Sequence, residues 1–322
     1  MAVSQHSDVC VALFGLGGVG VALLELLSER DVHVRLTGVA DSRGAVAGDL
    51  DPGAVIELKR SRLLPAEIPR ADVVKLARPD VVVDVMSCDF ATGEPALSVI
   101  LEAFGHGAHA VTANKAPLAR RWADIQDAAA RAGKRLGYAS AAGAALPAVT
   151  VARALGRADV IHSFEGVLSG TTTFILDEIA SGTPFEDAVR RAQERGIAEP
   201  DPSVDISGWD TAAKVVILAN TLWGTAHSLD DVAITGLSEN LAVAGDGPLR
   251  LVGHARRGGE LVVEPRRFAP DHPLANLRGR EKGVVFMGPS VGQIMVAGGR
   301  SHPRGAAAAV LGDVLEVAAS DG

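Results

Sequence analysis

The chain has 322 residues, 48% of them hydrophobic and 22% charged, with a net charge of −8 and two cysteines. That length suggests two domains, and the balance is that of a well-cored globule. It excludes a basic nucleic-acid surface and a disulfide scaffold. No apolar run approaches the roughly 18 residues of a membrane span, and no basic-then-apolar leader opens the chain, which predicts a cytoplasmic protein with no membrane partner.

Val9 to Phe14 is a short apolar run of buried-strand type, followed at once by Gly15-Leu-Gly-Gly-Val-Gly20. Gly15, Gly17 and Gly20 match G-x-G-x-x-G, with Gly18 and Val19 completing the turn, and a helix is predicted from Val21 to Ser28. Strand, glycine turn and helix in that order are the context in which this spacing signals a dinucleotide. Gly15 permits the tight turn, Gly17 lets the backbone approach a pyrophosphate, and Gly20 allows close helix–strand packing. The helix N-terminus then faces the phosphates. The next strand, Val34 to Ala40, ends at Asp41, 21 residues beyond Gly20. An acid there would hold the ribose hydroxyls of NAD. Arg43, Lys59, Arg60 and Arg62 are candidates for the 2′-phosphate of NADP, although a solvated helix face is the better account of the basic cluster. The expectation is NAD, with NADP left open.

Alternation continues. Asp80 to Met86 reads as a strand with Ser87 at its carboxyl end, Gly93 to Phe104 as a helix, and His109 to Thr112 as a strand. Ala113 to Ala119 leads into a helix ending near Ala132, and Arg135 to Tyr138 is a further strand. Ligands of open α/β sheets bind beyond the carboxyl ends of strands, so Ser87 and Lys115 should face the nicotinamide side. Cys10 and Cys88 lack any ligand spacing and read as reduced structural thiols.

The second half opens with a run of small residues, Ala139 to Pro147, that permits close backbone approach. A helix from Ala148 to Leu155 and a strand from Val160 to Val167 follow. Ser169-Gly170-Thr171-Thr-Thr173 then opens a helix through Ile179. Hydroxyls at a helix start are ordinarily caps, and they would also suit the carboxylate of an amino acid. Pro184 to Arg195 reads as a surface helix. Between Leu249 and Gly298 the pattern turns to short β-runs, at Leu261 to Glu264, Val284 to Met287 and Ile294 to Ala297. Ala306 to Ala318 closes as a helix.

The stretch Ala198 to Asn220 carries the densest chemistry. Ser207 stands as an N-cap with Asp210 three residues later, and an apolar run then begins at Ala212. Lys214 lies inside that run, four residues after Asp210 and on the same helix face. Lysine is almost never buried unless paired or employed. Its apolar surroundings disfavour the ammonium, while Asp210 favours it. Glu199, Asp201 and Asp205 precede the pair in a proline-broken loop, an arrangement suited to a small zwitterion. The same acid and lysine would also serve as a capping box and a helix salt bridge, and their spacing alone does not choose.

Over nearly its whole length the chain resembles homoserine dehydrogenase. The residues that carry the resemblance are Phe14 to Gly20, Thr112 to Ala119, Gly166 to Leu176 and, most specifically, Ala192 to Lys214, with His272 to Ala275 and Val284 to Gly288 in the tail. The resemblance implies an α/β fold. A Rossmann-type nucleotide domain would cover residues 1–137, and an α+β substrate and dimerisation domain 138–302. A C-terminal helix, 303–322, would return to the nucleotide domain. It implies reversible hydride transfer between L-homoserine and L-aspartate 4-semialdehyde, by a homodimer, in threonine and methionine biosynthesis. Lys115 and Lys214 would flank the reacting carbonyl, with Asp210 beside Lys214. Glu199 and Asp205 would receive the substrate's amino group, and Gly170 and Thr171 would complete its contacts.

Two positions depart from that pattern. Tyr138 is followed in the family by a glutamate that completes a monovalent-cation site of backbone carbonyls. Here it is Ala139, leaving the carbonyls of Ala142, Ala144 and Leu146, so weak or absent sodium or potassium binding is expected. The family's glycine- and alanine-rich turn reads Gly298 to Gly305 here. Surface drift is the preferred explanation, and altered cofactor contact by Arg300, His302 or Arg304 the sharper one. The chain stops at its closing helix, so an appended threonine sensor is not expected. The alternatives are a dehydrogenase for another amino aldehyde or amino alcohol, and a catalytically silent nucleotide-binding regulator.

Overall fold

The computed structural model describes residues 8–239, 241, 245–299 and 302–319. It divides into two compact units, residues 1–141 with 302–322, and residues 142–301.

In the first unit the elements run β1 (Val9–Phe14), α1 (Gly18–Glu29), β2 (Val34–Ala40), β3 (Ala45–Leu50), α2 (Pro52–Arg60), α3 (Val73–Ala77), β4 (Val81–Asp84), α4 (Ala96–Gly105), β5 (His109–Thr112), α5 (Ala116–Arg120), α6 (Trp122–Ala132) and β6 (Leu136–Gly137). The sheet order is β3-β2-β1-β4-β5-β6. All neighbours are parallel except β3, which runs antiparallel to β2. Central strands β1, β4 and β5 read as near-continuous apolar runs because helices cover both faces of a parallel sheet. Three elements, β3, α2 and α3, had no predicted bounds. Strand β3 is marked by no clear alternation and contains Gly48 at φ +149. Helix α2 follows it, with Asp51 capping Ala54 N at 2.7 Å and Pro52 in the first turn. Helix α4 begins at Ala96 rather than Gly93, because Gly93 adopts φ +80.

The second unit runs α7 (Ala148–Ala158), β7 (Ser163–Val167), α8 (Gly170–Ala180), α9 (Phe185–Glu194), α10 (Ser203–Ile206), α11 (Trp209–Trp223), β8 (Val232–Ile234), β9 (Leu249–Arg256), β10 (Leu261–Arg267), β11 (Lys282–Gly288) and β12 (Gly292–Gly298). Its sheet has the order β12-β11-β7-β9-β10-β8 and is antiparallel except where β8 meets β10. Every residue of α11 from Thr211 to Asn220 is buried. The helix lies close on β9, where a Cβ on Gly253 would come within 2.4 Å of Val215 Cγ2. Val252, which alternation turns to the other face, packs with Val167, Val285, Phe268, Leu274 and Leu277.

The expected N-cap of α11 is corrected. Ser207 ends the short helix α10, its N–H bonded to Ser203 O at 2.8 Å, and the chain reverses at Gly208, φ +89, which caps α11. A second short helix immediately upstream takes Ser207 into its own last turn.

The closing helix α12 (Pro303–Ala318) belongs to the first unit. Ala307, Val310, Leu311, Val314 and Val317 join the core that contains Leu13, Leu23, Val83 and Val111.

Candidate active site

In the nucleotide unit, Gly15 takes φ +104 between β1 and α1, and a Cβ there would strike the Val85–Met86 peptide at 2.7 Å. Gly20 is tighter still, 2.0 Å from the Gly15 carbonyl. Gly17, the N-cap of α1, has nothing within 4 Å of its Cβ position. The glycine turn is therefore closed where it must pack and open where a pyrophosphate would approach. Gly15 and Gly17 line a cleft of 350 Å³ with Asp41, Lys59, Arg70, Met86, Ser87 and Pro95. Gly18 lies against Pro303, and Val19 is half-buried in the first turn of α1.

Asp41, at the end of β2, is 7% exposed. Its carboxylate accepts from Lys59 Nζ at 2.5 Å and from the N–H groups of Arg43 and Gly44 at 2.6 and 3.2 Å. Burial opposes the charge, but the Lys59 ammonium and these N–H groups outweigh it and hold the carboxyl below its usual range. Arg70 donates to the Asp41 carbonyl at 3.2 Å. The solvated-face reading of the basic cluster is therefore corrected for Lys59, which turns into the cleft. It holds for Arg60, which pairs with Glu57 at the surface. Arg43 contributes its backbone N–H to Asp41 while the residue stands exposed.

Asp84 is a buried acid at the carboxyl edge of the same sheet that no sequence motif marked. It ends β4 opposite Thr112 of β5 and is 1% exposed. One carboxylate oxygen accepts from Thr112 Oγ1 and from Asn114 Nδ2, both at 2.7 Å, and the other from Met86 N at 3.1 Å. Burial pushes its carboxyl up, against these hydrogen bonds. The network ties the turn that carries Ser87 to the turn that carries Lys115, the half-buried residue capping α5. The available signal was an acid ending one strand and a Thr-x-Asn sequence ending the next. Beside Ser87, burial raises the Cys88 thiol to about 12, so the thiol stays protonated.

In the second unit, Lys214 is 9% exposed. Its Nζ donates to Asp210 Oδ2 at 2.5 Å and to the Leu168 carbonyl at 2.6 Å. Leu168 follows β7, and the next residue, Ser169, caps α8 by accepting from Thr172 N at 3.3 Å. The Ser169 hydroxyl donates to Asp205 Oδ1 at 3.0 Å. The Leu168–Ser169 peptide thus joins two of the predicted pieces, the Asp210–Lys214 pair and Asp205. Gly170 begins α8 against the Arg280 backbone, and Thr171 Oγ1 donates to Ile197 O at 3.3 Å. Glu199 stands exposed in the loop after α9. The Leu168 carbonyl left no trace in the sequence, because any residue carries that atom.

Ala139, where the family pattern places glutamate, gives its N–H to Asp313 Oδ2 at 2.6 Å. Arg300 lies outside the described residues. His302 caps α12 through Arg304 N at 3.2 Å, and Arg304 turns its guanidinium to Glu29. His302 and Arg304 line a second cavity, of 490 Å³, with Gly17 and Gly18. Among the described residues no helix is long and apolar enough to cross a membrane.

A family model described as homoserine dehydrogenase, NAD binding domain, matches residues 15–139, and one described as homoserine dehydrogenase matches residues 147–315. The homoserine dehydrogenase of Methanocaldococcus jannaschii is 34% identical over 331 residues, covering 96% of this chain and 98% of the relative. The NAD(+)-dependent homoserine dehydrogenase of Pseudomonas canavaninivorans is 30% identical, covering 95% of each chain. A solved hyperthermophilic archaeal homoserine dehydrogenase in complex with NADPH aligns with a TM-score of 0.87 at 27% identity, over 97% of this chain and 98% of that one. The glycine turn, the acid ending β2 and the matched nucleotide domain define an NAD(P)-dependent oxidoreductase. Both units match one enzyme, and the chain belongs to the homoserine dehydrogenase family.

Proposed function

We propose that this chain interconverts L-homoserine and L-aspartate 4-semialdehyde with Lys214 as the proton carrier and NAD as the preferred cofactor. The observation that carries the reading is the Lys214 ammonium held between Asp210 and the Leu168 carbonyl in a helix buried from Thr211 to Asn220. Reduction of an aldehyde needs a hydride at one face of the carbon and a proton for the developing alkoxide. The cofactor supplies the hydride. Lys214 supplies the proton, and Asp210 holds its ammonium in place through the hydrogen bond between them. Lys115 is assigned the second cation, stabilising charge on the oxygen as it develops. Asp205 and Glu199 receive the substrate ammonium, and the α8 N-terminus at Gly170 and Thr171 its carboxylate.

NAD is favoured because Asp41 presents a charged acceptor where the ribose hydroxyls would lie, and would repel a 2′-phosphate. The dependence named for the Pseudomonas canavaninivorans relative supports this. Lys59 and Arg70 in the same cleft leave NADP a usable, weaker cofactor. The cation site is weak or absent for want of a carboxylate at Ala139. A cytoplasmic homodimer built through the second unit, serving threonine and methionine synthesis, completes the reading.

The test is initial rates with L-homoserine, and with shorter and longer amino alcohols, in NAD+ and in NADP+. L-Homoserine with NAD+ should give the highest kcat/KM. Lys214→Ala should abolish turnover while NAD+ affinity, read by fluorescence titration, stays within about threefold of the parent. A kcat near the parent value in that variant ends the proposal.

A further inference from the structure

Lys282 opens β11, is 2% exposed, and donates from Nζ to the Gly143 carbonyl at 2.6 Å. A lysine buried to that depth is employed, structurally or chemically, and hydride transfer gives it no task. The carbonyl it holds belongs to the turn that enters α7. Within that turn Ala144 takes φ +54, a left-handed conformation that a residue with a Cβ keeps only when its surroundings impose it. Leu146 N closes the turn on Gly143 O at 3.1 Å. Gly299 packs on it so tightly that a Cβ there would lie 2.8 Å from Leu146 N.

The carbonyls of Ala142, Ala144 and Leu146 in this turn are those that the family resemblance assigns to a monovalent cation. The residues present fit such an ion poorly. Position 139 offers no carboxylate, and its N–H is engaged by Asp313. A positive charge already sits on Gly143, the residue between two of the three carbonyls. A second cation placed beside it would be repelled by the first.

We propose that Lys282 is the resident cation of this turn. Its ammonium holds the strained 142–146 segment and takes over the ordering that a bound sodium or potassium ion would supply, so this chain works without a monovalent cation. The inference extends the reading of a cation site without its carboxylate.

Thermal midpoints and L-homoserine oxidation rates are to be measured in sodium, potassium and tetramethylammonium chloride at one ionic strength, with 23Na relaxation as a direct binding probe. The parent chain should give the same midpoint and rate in all three salts and no excess 23Na relaxation. Lys282→Met should melt lower, with kcat reduced about tenfold as the turn loosens. Lys282→Met with Ala139→Glu should gain a midpoint raised by sodium or potassium. Selective activation or stabilisation of the parent by either ion overturns the proposal, as does a Lys282→Met chain that matches the parent in midpoint and rate. The midpoint and relaxation readings decide even where L-homoserine is not turned over, and the parent series decides even where the variant does not fold.

Discussion

Asp41 stays ionised because Lys59 and two backbone N–H groups converge on a carboxylate that is otherwise buried. Its folded pKa lies below that of the unfolded chain, about 3.9. The stability it contributes is therefore present above about pH 4 and is lost as pH falls through the folded value. Urea unfolding of the parent and of Asp41→Asn at pH 6, 4 and 3 checks this. The gap between the two should narrow toward pH 3, and NAD+ affinity should be weaker in the variant at every pH. Asp41 itself was legible, because strand length and the distance from the glycine turn fix where an acid must fall. Its partner Lys59 was not. A basic helix face looks solvated in sequence, and only the packing of α2 shows its one lysine turning inward. Asp84 was missed for a similar reason, since its hydrogen bonds span 28 and 30 residues.

Helix α11 shows what pattern alone misjudges in an element. Ser207 and Asp210 have capping-box spacing, yet the helix starts from Gly208 in a left-handed conformation, φ +89. Only glycine takes that conformation without cost, and a Cβ there would stand 3.0 Å from Ile234 Cγ2. Gly208→Ala should lower unfolding free energy by about 1–2 kcal/mol. Because Asp210 lies in the first turn of the same helix, it should also reduce kcat more than NAD+ affinity. A denaturation midpoint equal to the parent's would show that the turn relaxes freely. The apolar interior of α11, by contrast, was read correctly from Ala212 onward. A helix covered on most sides is apolar nearly all round, and so long an apolar run is legible without any periodicity.

At the scale of the molecule, the second unit is an insertion between β6 and α12, and the first unit is finished only by the chain's last helix. Leu311, 2% exposed, stands in the same core as Leu13 and Val83 of the central strands. Leu311→Ala should cost about 2–5 kcal/mol by denaturant unfolding. It should also weaken NAD+ binding, since α12 packs against α1, the helix whose N-terminus faces the phosphates. Unchanged NAD+ affinity with reduced stability would separate the two roles of the helix. The α/β class and the return of the last helix came from the motif-bearing segments of the resemblance. Strand β3 has no such motif and an alternation too weak to distinguish it from loop.

The Leu168 carbonyl, one of the two acceptors on the Lys214 ammonium, has a consequence for how this enzyme can change over time. A main-chain oxygen is encoded by no particular codon, so exchange of Leu168 for another apolar residue leaves that anchor in place. Asp210 and Lys214 have no such protection. In a saturation library the two acceptors of one ammonium should therefore differ sharply, position 168 tolerant to apolar exchange and position 210 intolerant. Removing the carbonyl itself requires chemical synthesis, with the amide replaced by an ester, rather than mutation.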